Sequence, residues 1–96
     1  MRLDLFLKTS RLIARRSLAQ EFCDNGLIMV NGAPAKSSKE VKVDDVIEIK
    51  RRNALTKVLV LEIPAAKQVS KNSAGGLYRV LDETVLEDDM LSSGSR

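Results

Sequence analysis

Apolar residues follow two rhythms along this chain, and the change comes at Gly26. Before it the spacing is helical. Leu3, Phe6 and Leu7 recur at i, i+3 and i+4 and predict the buried face of a short helix, with Arg2, Asp4 and Lys8 pointing elsewhere. Thr9-Ser10 ends that helix, and Leu12 and Ile13 pack the connection. A second helix is predicted over residues 15–24, with Leu18, Ala19, Phe22 and Cys23 buried and Arg15, Arg16 and Gln20 turned outward. Gly26 suits the left-handed residue just past its end.

After Gly26 the period is two. Ile28-Met29-Val30 reads as a strand, Asn31-Gly32 as a type I′ hairpin turn, and residues 33–36 as the return strand, where Pro34 requires an edge. Ser37-Ser38-Lys39 form a polar loop, and Val41 and Val43 lead into Asp44-Asp45. Strands follow at 46–49, closing on the basic run Lys50-Arg51-Arg52, and at 57–63. The second of these has a continuously apolar middle, so it should be central or covered on both faces. Pro64 ends it. KQVSKNSAGG reads as a linker, residues 77–81 as a short strand or helix, and the acidic, serine-rich end as disordered. The pattern is α+β: two N-terminal helices, then a small, mostly antiparallel sheet, with a flexible acidic C-terminal tail. The expected division is a folded domain over 1–63, then linker and tail over 64–96.

Length allows one domain of 96 residues with a modest core. No apolar run approaches the roughly 20 residues of a membrane span, and the N-terminus is too charged for a signal peptide. Cys23 is the sole cysteine, so no internal disulfide forms, and its place in the helical stripe makes it a small buried hydrophobe. The chain lacks histidine and therefore the commonest general base and metal ligand. No phosphate-loop, dinucleotide or C-x-x-C motif occurs. No metal, no cofactor and no catalytic residue is expected.

Charge adds a direction. The formal balance is only +3, but residues 1–57 hold twelve Lys and Arg against seven Asp and Glu, while 58–96 hold four against six. A basic front with an acidic tail is the footprint of a polyanion binder. Arg11, Arg15 and Arg16 crowd the start of the second helix, where the macrodipole disfavours cations. If they serve binding alone, replacing Arg15 or Arg16 with alanine should leave the melting temperature level or higher. Phe22→Ala, by contrast, should cost roughly 3–5 kcal/mol as a core truncation.

The first 50 or so residues resemble an S4 domain, the small αL-type RNA-binding module. The likeness rests on Arg2-Leu3-Asp4 opening the first helix, Ser10-Arg11, the basic start of the second helix with Ala19, and Gly26. It continues through Val30-Asn31-Gly32, Ala35-Lys36 and Asp45 before the Val46 strand. One position departs: the family has glycine where Asp44 stands, so either the turn avoids positive φ or Asp44 is strained. The resemblance implies an RNA surface on the exposed side of the two helices, with Arg2, Lys8, Arg11, Arg15, Arg16 and Lys36 as contacts. Asn31 is a further candidate, chiefly a turn residue, and Arg51 and Arg52 either extend the surface or end a strand in solvent. Among stand-alone bacterial S4 proteins the likeness is to factors of ribosome-associated quality control and to heat-shock ribosome binders. It implies a cytoplasmic, monomeric protein. Its partners would be ribosomal RNA of the large (50S) subunit and peptidyl-tRNA, with a nascent-chain tailing factor on the same subunit. A general rRNA- or tRNA-binding, assembly or recycling factor is the alternative. S4 domains also precede pseudouridine synthase and methyltransferase domains, but only some forty-five residues follow here, and Asp82, Asp88 and Asp89 fall in the expected tail. A DNA reader would need base-reading polar groups on the second helix, where Gln20 stands alone.

Overall fold

The computed structural model describes residues 1–64 and 76–85. The elements in order are α1 (Leu3–Thr9), α2 (Arg16–Asp24), β1 (Ile28–Val30), β2 (Ala33–Pro34), β3 (Val46–Lys50), β4 (Ala54–Val60) and β5 (Tyr78–Val85). The strands form one antiparallel sheet in the order β2-β1-β3-β4-β5. Both helices cover one face of it. Leu3, Phe6 and Leu7 of α1 and Ala19 and Cys23 of α2 join Ile28, Val30, Ile47, Ile49, Val58 and Val60 in a single buried cluster. Those strand residues alternate, as one-sided burial demands. On the other face Met29 pairs with Glu48 and Glu48 with Lys57, all half-buried.

Two helical positions differ from the apolar pattern. Leu18 is 37% exposed and Phe22 only half-buried, so α2 touches the core along Ala19 and Cys23. Each residue turns the helix by roughly 100°, so on a nine-residue helix residues 18 and 22 both fall to one side of the 19–23 line. Periodicity marks a sector, and packing then selects a narrower one.

The strands also shift. The return strand stops at Pro34 rather than reaching residue 36, although the Ala35 amide still donates to the Ile28 carbonyl at 3.1 Å. Pro34 lies on an edge strand, as a residue without an N–H must. β4 spans Ala54–Val60, three residues earlier at both ends than the expected 57–63, and is central but not covered on both faces: its burial alternates. Residues 78–85, only partly anticipated as a short strand or helix at 77–81, pair with β4 as the fifth strand, with a bulge opposite Lys57/Val58. Asp82 thereby lies in the sheet opposite Lys57; Asp88, Asp89, most of the linker stretch and the acidic end lie outside the described residues.

Turn chemistry follows the sequence. Gly26 has φ +71°, and Asn31 (54°) and Gly32 (85°) both take the left-handed conformation a type I′ turn needs. Asp44 has φ 76°, so strain, not an altered turn, is the outcome at the position where S4 domains carry glycine. The turn is closed by the Asp45 amide on the Lys42 carbonyl at 3.1 Å, and the Asp44 amide donates to Val60 at 2.9 Å. Relief of a left-handed non-glycine residue, about 1–2 kcal/mol, exceeds the entropy glycine adds to the unfolded chain, about 0.5–1 kcal/mol. Asp44→Gly should therefore raise unfolding free energy in urea by roughly 0.5–1 kcal/mol, whereas Asp44→Ala should lower it. With Phe22 at half burial, Phe22→Ala should cost about 1–3 kcal/mol in the same assay, below the full core value.

Candidate nucleic-acid interface

The site is built around a carboxylate. Asp4 is fully buried, not turned outward as the apolar spacing predicts. Its Oδ1 accepts the Leu5 amide at 2.8 Å and Arg2 Nε at 3.3 Å; its Oδ2 accepts Gln20 Nε2 at 2.8 Å, Arg16 Nε at 3.2 Å and Arg2 Nη2 at 3.4 Å. Arg16 and Gln20, read as outward-facing, thus turn toward α1 and bind the two helices together. Burial pushes the Asp4 carboxyl up, but the hydrogen bonds from Gln20, Arg16 and the Leu5 amide prevail and hold it below its ordinary value. The Asp4 charge also reaches Cys23, whose buried thiol is pushed up to about 11 by desolvation first and then by Asp4 and Asp24.

Asp4 also belongs to the start of α1, where a negative charge suits the dipole. That helix has no side-chain cap. Its free amides are met from the loop after β2 instead: Leu3 N–H donates to the Lys39 carbonyl at 2.8 Å and Asp4 N–H to the Ser37 carbonyl at 3.1 Å. The terminal ammonium of Met1 reaches Glu40 at 2.7 Å and lowers the Glu40 carboxyl pKa. This loop therefore brings exposed Lys36 to the Asp4 side of the molecule.

Arg2 and Arg16 remain 48% and 45% exposed at their side chains. Among the described residues only Nε of Arg16 is engaged, leaving the outer edge of its guanidinium for an external acceptor. Arg15 is exposed at the α2 N-cap and makes no side-chain cap bond there. Lys8 is half-buried in the last turn of α1. Arg11 is exposed at φ 64°, a conformation that costs an L-residue about 1–2 kcal/mol and glycine nothing. A long cation at such a position points to a use for the side chain. Asn31 is otherwise occupied: its Nδ2 donates to Asp45 at 3.1 Å and its Oδ1 accepts the Val46 amide at 3.0 Å. Arg52 is exposed, and Arg51 donates through Nη2 to the Leu12 carbonyl at 2.7 Å.

A model of the S4 domain matches residues 1–47, from α1 into β3, a span that contains every basic candidate from Arg2 to Lys36. Over most of its length the chain is similar to curated proteins named RQC P-site tRNA stabilizing factor. The Streptococcus pneumoniae protein is 46% identical, covering 94% of this chain and 100% of its own. The Bacillus subtilis protein is 43% identical, over 90% and 98%. The chain belongs to the family of RQC P-site tRNA stabilizing factors. Among solved structures, the trimeric Vibrio cholerae heat shock protein 15 superposes with a TM-score of 0.75 at 29% identity, over 83% of this chain and 80% of that one.

Within this S4 domain the sequence pattern finds the basic residues but not their anchor. A usable signal exists: Arg16 and Gln20 are spaced i, i+4 on α2, and Asp4 adjoins the apolar stripe of α1. The expectation that Arg16→Ala leaves stability untouched is revised, because the change removes one cationic donor from a buried carboxylate. Arg16→Ala should lower unfolding free energy by about 1–2 kcal/mol, discounted for the half-exposed guanidinium, whereas Arg15→Ala should leave it level. Asp4 has its folded pKa below the unfolded one, so its contribution is full above about pH 4 and disappears as pH falls through the folded value. Melting temperature should hold steady from pH 7 to 5 and drop below about pH 4, and Asp4→Asn should flatten that drop while lowering stability at pH 7 by about 2–3 kcal/mol.

Proposed function

We propose that this protein binds folded RNA through the exposed face of α1 and α2, and that it holds peptidyl-tRNA on the large (50S) ribosomal subunit during ribosome-associated quality control. Arg2, Arg11, Arg15, Arg16 and Lys36 meet phosphates from ribosomal RNA and tRNA, with Lys8 at the margin. One observation carries the reading: Asp4 fixes Arg2 and Arg16 from behind while leaving about half of each side chain exposed. A pinned, half-exposed guanidinium loses little rotamer freedom when a phosphate docks, and its planar fork can grip two oxygens. Folded RNA is recognised largely by shape and backbone, so such a face has no need of stacking aromatics; the half-buried Phe22 and Tyr78 and the buried Phe6 pack with the core. The curated relatives, named for stabilising P-site tRNA, support the choice of target.

In this role the protein performs no chemistry. It acts as a monomer in the cytoplasm, and its grip on peptidyl-tRNA supports rescue and alanine tailing of the stalled chain by a tailing factor on the same subunit. Among the described residues no helix is long and apolar enough to cross a membrane. Asn31 serves the hairpin turn and not the RNA.

With five or six phosphates engaged, log K should fall against log salt with a slope of roughly −4 to −5. In sucrose gradients the protein should travel with 50S particles that carry peptidyl-tRNA, be scarce on 70S ribosomes, and leave the 50S fraction after puromycin. Equal occupancy of 70S and empty 50S particles would reduce the reading to general RNA binding. A slope shallower than about −2 would remove the basic face from binding altogether.

A further inference from the structure

The connection between the helices, residues 10–15, has no regular structure beyond its turns, yet it carries Arg11. Its own backbone hydrogen bonds return to α1: Ser10 to Phe6 at 2.8 Å, Arg11 to Lys8 at 3.1 Å and Ile13 to Leu7 at 3.1 Å. The stretch is anchored inward by Ile13, buried in the core. From the sheet side it is held by Arg51, whose Nη2 donates to the Leu12 carbonyl at 2.7 Å across 39 residues of sequence. Arg51 is itself fixed in the turn from β3 to β4, where its amide donates to the Ala54 carbonyl at 2.7 Å.

We propose that Arg51 is a positioning residue for RNA binding: by holding the Leu12 carbonyl it fixes the helix connection and sets the direction in which Arg11 is presented. The carbonyl it grips is the neighbour of a residue at φ 64°, and such a backbone persists only where its surroundings determine it. A cationic donor on a backbone carbonyl is one of the stronger hydrogen bonds a side chain can make. Arg51 lies beyond the matched S4 span of residues 1–47, so the sheet supplies a brace to the RNA-facing part from outside it. Arg52, next in sequence and also exposed, makes a control for loss of one positive charge.

The inference rests on the RNA-binding reading, and the test separates the two. Full-length protein, Arg16→Ala, Arg51→Met, Arg52→Met, Arg11→Ala and the Arg11→Ala/Arg51→Met double variant are titrated against 50S subunits that carry peptidyl-tRNA at several salt concentrations. Methionine keeps the side-chain stem and removes the donor. Arg51→Met should weaken binding about three- to tenfold with an unchanged salt slope, since a brace neutralises no phosphate, and Arg52→Met should weaken it less than twofold. In the Arg11→Ala background Arg51→Met should have almost no further effect, because the two act in series. Amide exchange of Ile13 should quicken in Arg51→Met, a local readout that does not depend on RNA. A slope shallower by about one unit in Arg51→Met would make Arg51 a direct phosphate contact and overturn the proposal. Equal losses in Arg51→Met and Arg52→Met, or additive losses with Arg11→Ala, would overturn it as well. If Arg16→Ala too binds unchanged, it is the RNA surface itself that fails.

Discussion

One buried carboxylate carries the architecture of the basic face. Asp4 lies at the start of a seven-residue helix, accepts that helix's own Leu5 amide, and reaches across to Arg16 and Gln20 on the next. A helix this short is marginal alone and depends on its neighbours. The same atom group therefore fastens α1 to α2 and gathers Arg2 and Arg16 on one side. Burying a charge is costly unless it is paired and fully hydrogen-bonded, and here five donor groups meet two oxygens. Like charges that would repel on an open helix end are held together by the counterion between them. The unfavourable encounter of Arg16 with the α2 dipole is offset in the same way.

The rest of the molecule supports that arrangement. The sheet provides the apolar platform through alternate residues of β1, β3 and β4, and the loop after β2 supplies the carbonyls that an uncapped α1 lacks. Asn31 and Asp45 tie the hairpin turn to the entrance of β3, which fixes where that loop departs. Among the described residues no buried side-chain nitrogen or oxygen lacks a hydrogen-bond partner, while Arg11, Arg15 and Lys36 stay exposed.

Much of this is legible from the residues. The change of period at Gly26, the Asn31-Gly32 turn and the edge position of Pro34 each have a local cause, and each is found where that cause puts it. What eludes the sequence is set by tertiary contact. Asp4 looks like a surface residue because periodicity counts apolar side chains and is blind to a polar one with partners on another helix. Leu18 and Phe22 look like core because nothing local says how narrow the α2 contact is. β5 runs to Val85 because β4 offers it a ladder, although residues 82–84 are polar and most of its side chains are exposed. Arg51 reads equally as part of the basic surface or as a strand end in solvent, because its partner is 39 residues away.

The position of Cys23 beside the Asp4 cluster has a consequence for redox chemistry. A thiol pushed up to about 11 holds, at neutral pH, on the order of one thiolate in ten thousand, and the thiolate is the form that oxidants and disulfides attack. The side chain is 7% exposed as well, so access is poor. Burial first, and then the charges of Asp4 and Asp24, keep the chain's single cysteine in its thiol form. Peroxide or glutathione disulfide should therefore react only slowly at this thiol.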